Sequence, residues 1–361
     1  MKRLQRNWRD GMFGFSIFLT EEMTEQKSTY IEKMASIGFS GVFTSLHIPE
    51  ENPEMYQVRL KQLGLMAKDL QLDLMVDISG NALEAAGFSL ERINELKEIG
   101  VTGLRMDDRI TTKQIAEASH QVTVALNAST ISEKDVEELQ KYQADFTNLE
   151  AWHNYYPRPE TGLDQAWFDE KNQWLKQWGF AIQAFVAGDG EKRGPLYEGL
   201  PTLENHRHQH PLSAALDLNV DLVYIGDGDL AAETQKQFAL YNKEQTILLQ
   251  VESYDEQIEL VLGNHKNRMD EARDVIRSAD ARFNQPASVP PLPAQKREVG
   301  MVTIDNVEYL RYMGEIQIVK RPLSADEKVN VVGRVIEKDR SLLSAIQAGT
   351  KFILESVENH E

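Results

Sequence analysis

The chain has 361 residues, enough for two domains or for one large barrel with an appendage. Its composition, 41% hydrophobic and 27% charged, is that of a soluble globular protein. The formal net charge of −18 repels polyanions, so nucleic acid is excluded as a partner and any anionic ligand needs a local basic pocket. There is no cysteine, which excludes disulfides, thiolate metal sites and cysteine nucleophiles.

Near the N-terminus an apolar stretch runs only from residue 12 to 19 and meets Thr20, Glu21 and Glu22 at once. It reads as a buried strand rather than a signal peptide. No run reaches the roughly 18 apolar residues that span a bilayer. The expectation is a cytoplasmic protein with no membrane partner.

Short β-rich runs then recur at 14–19 (GFSIFL), 41–47 (GVFTSLH), 72–79 (LDLMVDIS) and 102–107 (TGLRMD). They continue at 121–127 (QVTVALN), 145–150 (DFTNLE), 181–187 (AIQAFVA) and 221–227 (DLVYIGD). Helical spacing fills several gaps: 28–37 stops at Gly38, 56–70 is amphipathic, and 89–99 stops at Gly100. Eight strands alternating with helices predict a parallel sheet with right-handed crossovers, and eight is the number that closes a TIM barrel. An open doubly wound sheet is the rival, but no Gly-rich phosphate fingerprint follows the first strand.

After about residue 245 the pattern changes. Runs at 245–252, 299–306, 314–320, 329–336 and 350–355 are strand-like, 269–279 has helical spacing, and the Pro-rich 285–295 must be a loop. The expected fold is therefore α/β: a (β/α)8 TIM barrel over 1–244, followed by a small, mostly antiparallel β-barrel over 245–361.

Side chains alternate along a strand, so each barrel strand has two faces. Apolar faces such as Leu74, Val76 and Ile78, or Val122, Val124 and Leu126, should pack on the helices. The opposite faces then place Ser16, Ser45, His47, Asp77, Arg105, Asp107, Asn127, Glu150 and Asp227 in a ring towards the strand C-termini. Burying so many polar groups is costly unless they pair or bind a ligand, and that end of a barrel is its catalytic end. Blander readings stand beside this one. Arg105 with Asp107 makes a structural ion pair, His47 a core histidine, and Asp77 and Ser79 helix caps. His206, His208 and His210 alternate in a loop without metal spacing.

Two loops carry further chemistry. Residues 151–163 (AWHNYYPRPETGL) offer Trp152, Tyr155, Tyr156 and Arg158, a mixture suited to sugar faces. Residues 188–207 (GDGEKRGPLYEGLPTLENHR) form a long loop bearing Lys192, Arg193, His206 and Arg207 beside Glu198 and Glu204. A basic loop near strands seven and eight is where barrels often bind phosphate.

The segments FTSLH (43–47), LRMD (104–107), NAS (127–129), NYYPRPETGL (154–163) and RGPLYEGLPTLENHR (193–207) resemble those of the MupG-type 6-phospho-N-acetylmuramidases. So do ARDVIRSA (272–279), TIDN (303–306) and RYMGEIQI (311–318), and the resemblance runs over nearly the whole chain. It implies a TIM barrel followed by a cyclophilin-like β domain. It also implies an enzyme that hydrolyses the β-1,4 bond of MurNAc-6-phosphate–GlcNAc during peptidoglycan recycling inside the cell. On that basis two carboxylates perform general acid–base hydrolysis with no metal or organic cofactor. Glu150 and Asp107 are the expected pair, with Glu204 and Asp227 in reserve. Arg193, His206 and Arg207 would hold the 6-phosphate, Trp152 and Tyr155 would stack on a sugar, and Ser45, His47, Asp77, Arg105 and Asn127 would line the substrate site. The substrate's acetamido group is an alternative internal nucleophile. A lyase, etherase or isomerase acting on MurNAc-6-phosphate, and a non-catalytic muropeptide sensor, are the competing functions. Arg268, Arg273, Arg277 and Arg311 either reach the barrel mouth or make local ion pairs, and a homo-oligomer is left open.

Overall fold

The computed structural model describes residues 12–20, 22–46, 53–78, 83–84, 87–106, 109–281 and 286–357. His47, Ser79 and Asp107 lie outside the described residues. One compact unit ends at Gln235 and a second begins at Lys236.

The first unit is a closed, all-parallel (β/α)8 barrel of the TIM type. In chain order it runs β1 (Phe13–Ser16), α1 (Glu25–Ser36), β2 (Gly41–Ser45), α2 (Pro53–Asp69), β3 (Asp73–Ile78), α3 (Ile93–Glu98), β4 (Gly103–Met106) and α4 (Thr112–Ser119). It continues with β5 (Thr123–Asn127), α5 (Glu133–Lys141), β6 (Leu149–Trp152), α6 (Gln165–Gln177), β7 (Ala181–Val186), α7 (Pro211–Asp217) and β8 (Leu222–Ile225), and α8 (Ala232–Glu244) starts here and runs across the boundary at Gln235. Strand β8 pairs with β1, Phe13 opposite Val223, and so closes the ring. Helix starts follow local chemistry: Thr111 and Ser132 form capping boxes with Gln114 and Asp135, and Asp164 caps α6. The expected stops at Gly38 and Gly100 are present, both with positive φ (93° and 98°).

Alternation sorts the strands as expected. Val42, Leu74, Val76, Leu104, Val124 and Ile182 are fully buried on the helix side. The inner face differs from the expectation of a polar lining, because aromatic rings fill its middle. Phe43, Met75, Ala125, Trp152, Phe185, Leu222 and Tyr224 form one buried cluster. Glycines make room for it. A Cβ on Gly14 would lie 2.3 Å from the Tyr224 ring, and one on Gly41 2.0 Å from its hydroxyl.

The sixth strand is offset from its expected 145–150. Asp145 accepts a hydrogen bond from the Thr147 amide and caps a 3-10 turn over Phe146–Asn148, so β6 begins only at Leu149. Glu150 therefore enters the barrel near the start of its strand, and Trp152 ends the strand instead of opening a loop.

The second unit is a seven-stranded, mostly antiparallel sheet. Its strands are β9 (Thr246–Ser253), β10 (Gly263–Lys266), β11 (Val275–Arg277), β12 (Met301–Asp305), β13 (Ile316–Val319), β14 (Val329–Val335) and β15 (Lys351–Ser356), in the order β10-β15-β9-β14-β12-β13-β11. Among the described residues of this sheet only β9 and β15 pair in parallel. A bridge between Asn267 and Ser278 links the two edge strands and brings the sheet close to closure. The helix expected at 269–279 is absent. Val275 and Ile276, both β-branched, instead extend the sheet against β13, and cross-strand pairing overrides the local spacing. From Pro286 to Gln295 the Pro-rich stretch is irregular, as expected. Among the described residues no helix is long and apolar enough to cross a membrane.

Candidate active site

At the C-terminal end of the barrel, above the aromatic layer, charged side chains replace apolar ones. Asp77 on β3 and Arg105 on β4 are register partners, and Arg105 Nη1 donates to Asp77 Oδ1 at 2.8 Å. Ser45, the register partner on β2, donates from Oγ to the other carboxylate oxygen at 3.1 Å. Arg105 Nη2 donates to the side-chain oxygen of Asn154, two residues past the end of β6. The ion pair is nearly enclosed, with Arg105 side-chain exposure of 7% and Asp77 of 14%. A carboxylate held this way has fixed orientation and still touches the mouth.

Tyr155 and Arg193 extend the site. Tyr155 packs edge-on against Phe185 (5.2 Å between centroids) and Phe43 (6.5 Å). Burial is the main reason its phenol titrates above the ordinary range. Its hydroxyl accepts from Arg193 Nη1 at 3.1 Å, and the Arg193 guanidinium stacks 3.7 Å above the ring of Phe18, just beyond β1. The mouth thus joins Ser45, Asp77, Arg105, Asn154, Tyr155 and Arg193. Asn127, at the end of β5, uses its side-chain oxygen to accept from the Ser129 amide. Ser16 is turned to the Ile225 carbonyl of β8 (2.7 Å) and serves barrel closure.

Several expected site residues have other work. Glu150 is 3% exposed and lies one pleat deeper than Trp152, whose indole N–H donates to its carboxylate at 2.7 Å. Trp152 itself is 1% exposed, within the aromatic cluster, and presents no free face for a sugar. Glu204 and Arg207, expected as a reserve acid and a phosphate ligand, form a clasp instead. Arg207 Nε and Nη2 donate to the two Glu204 carboxylate oxygens at 2.7 and 2.6 Å. Glu204 also accepts the amides of Glu160 and Gly162, and Arg207 Nη1 donates to the carbonyls of Tyr156 and Gly199. The Arg207 hydrogen bonds hold the Glu204 carboxyl down at about 2, far from what proton donation near neutrality requires. The clasp laces the loop after β6 to the loop after β7, beside a parallel bridge between Leu163 and Leu203.

His206 is 1% exposed and bonds through Nε2 to Asp217 at the end of α7, away from the mouth. Asp227 is fully buried and accepts the amides of Gly188 (2.9 Å), Arg193 (3.1 Å) and Leu200 (3.0 Å). It organises the loop after β7. Burial raises its carboxyl, and those three amides oppose the rise. His47 and Asp107 lie outside the described residues. In the second unit Arg268 and Arg277 both bind Asp270, and Arg273 pairs with Asp274.

Asn154 was not singled out from sequence, although it opens the NYYPRPETGL motif. Its signal is its position two residues beyond Trp152, which keeps it on the inward face.

Two family models describing the N-terminal and C-terminal parts of 6-phospho-N-acetylmuramidase match residues 13–240 and 245–355. The chain is similar to a crystal structure of a conserved protein of unknown function from Enterococcus faecalis, with 49% identity, TM-score 0.91, and coverage of 96% of this chain and 97% of that one. It is also similar to an uncharacterized B. cereus protein, with 26% identity, TM-score 0.74, and coverage of 96% and 99%. No curated protein matches it. Matched across both parts, the chain belongs to the 6-phospho-N-acetylmuramidase (MupG) family and is by that membership a glycosidase.

Proposed function

We propose that the barrel mouth hydrolyses the β-1,4 bond of MurNAc-6-phosphate–GlcNAc inside the cell, in the recycling of peptidoglycan fragments. The observation that carries this reading is Asp77, fixed by Ser45 and Arg105 at the end of β3, with the Arg193 guanidinium in the same mouth. Family membership supplies the substrate class. Arg193 takes the 6-phosphate, with Lys192 next to it in sequence, because a guanidinium matches phosphate in charge and donor geometry. Asp77 replaces Glu150 as the carboxylate next to the reacting bond. Bridged to a cation, it is arranged as an acceptor: it orients the substrate's acetamido group as internal nucleophile, or takes the proton of an attacking water. Asp107, which follows β4, is retained as the second carboxylate on its sequence position alone.

The pair of variants Asp77→Asn and Glu150→Gln tests this assignment. Asp77→Asn lowers kcat by a factor of about 100 or more, the usual weight of one positioned acid–base group. Glu150→Gln keeps kcat within about tenfold of wild type, because that side chain is 3% exposed and bonded to the Trp152 indole. Circular dichroism spectra matching the wild type are the control that both variants are folded. The reverse order of effects would return the catalytic role to Glu150.

A further inference from the structure

The loop after β7 presents two side chains from one backbone turn, and only the inner one belongs to the site described so far. The Tyr197 amide donates to the Arg193 carbonyl at 3.2 Å, closing a five-residue turn. Arg193 points into the mouth, over Phe18 and onto Tyr155. Tyr197 stays outside. It is 63% exposed, and its neighbour Leu196 is 47% exposed. Tyr197 has φ of 57°, the left-handed region that a bulky non-glycine residue enters only at a cost. Its ring lies over Gly194, where a Cβ would stand 2.9 Å from the phenol oxygen. A glycine at 194 is what lets the ring take that place. Buried Asp227 holds the amides of Gly188, Arg193 and Leu200, so both ends of the lobe are pinned and the lobe is preorganised.

An exposed aromatic ring, held in a costly conformation on a pinned loop one turn from the phosphate-binding cation, is built to meet a ligand. We propose that Tyr197 is the platform for the second, unphosphorylated sugar, stacking on its apolar ring face while Arg193 holds the phosphorylated one. The placement suits this: the Tyr197 ring lies against Gly194, the residue after Arg193, so the two side chains are neighbours as the two sugars of the disaccharide are. This rests on the proposed assignment of Arg193 to the phosphate.

The test compares two substrates, MurNAc-6-phosphate–GlcNAc and the 1-fluoride of MurNAc-6-phosphate, whose leaving group is a single atom and needs no second sugar site. For Tyr197→Ala, KM for the disaccharide rises about three- to tenfold, the range of an aromatic stacking contact, while the kinetics on the fluoride are unchanged. Tyr197→Phe restores the disaccharide KM, since the ring face and not the hydroxyl does the binding. Equal losses on both substrates would make Tyr197 a brace for the loop and overturn the proposal, as would an unchanged disaccharide KM. A wild-type enzyme that turns over neither substrate would instead overturn the hydrolase reading beneath it.

Discussion

Every nitrogen of the Arg207 guanidinium is donated within the protein, to Glu204 and to the carbonyls of the two mouth loops. Arg207 is 2% exposed but Glu204 is 33% exposed, so Arg207→Ala removes several charge-assisted hydrogen bonds while leaving a carboxylate that water reaches, and should cost about 2 kcal/mol of stability in urea unfolding. A phosphate ligand would behave differently: its loss would raise KM and leave stability unchanged. His153 makes the second prediction at this scale. It is fully buried, its Nε2 bonds Asn172 at 2.7 Å, its Nδ1 has no partner, and burial pushes its titration down to about 4. The unfolded chain binds that proton near 6.5, so the contribution is whole above 6.5 and is lost as pH falls from there towards 4. Its full size is about 3 kcal/mol. Urea midpoints measured between pH 7 and 4.5 should fall more steeply for wild type than for His153→Gln, and parallel curves would remove the histidine from the explanation. Neither role was legible from residue type. Arg207 in the loop after strand seven looks like a phosphate ligand until its acceptors are known, one of them 51 residues away in the chain, and His153 just after strand six meets its partner Asn172 only 19 residues further on.

At the scale of elements, the strands and most helices of the barrel were readable because each carries its own signal: alternation, a capping box, a terminal glycine. The reading went astray where a short-range hydrogen bond shifted a boundary. Asp145 caps a turn, β6 starts at Leu149, and Glu150 moves from the mouth to the barrel interior. A helical period at 269–279 likewise yielded to pairing with β13, which no local window contains. Packing between strands gives the testable consequence. The Tyr224 ring occupies the space that a side chain on Gly41 would need. Gly41→Ala should therefore destabilise by about 2 kcal/mol or more, and adding Tyr224→Phe should recover part of the loss by removing the atom in closest conflict. Strict additivity of the two substitutions would mean that the ring and the glycine do not constrain one another.

For the whole molecule, a net charge of −18 sets the background against which Arg193 acts. Attraction of a phosphorylated sugar to a few cations in a strongly anionic protein is short-ranged and screened by salt. The charge balance made a local basic pocket foreseeable from composition. Which cations face the mouth was not, because Arg207 and His206 bond within the loops while the Arg193 guanidinium stacks on Phe18. The most direct test is to incubate the enzyme with MurNAc-6-phosphate–GlcNAc and, in parallel, with the unphosphorylated disaccharide, and to identify the products by mass. Hydrolysis at a phosphate-reading mouth predicts free GlcNAc and MurNAc-6-phosphate from the first and little or nothing from the second. Equal cleavage of both disaccharides, or release of D-lactate in place of GlcNAc, would contradict it.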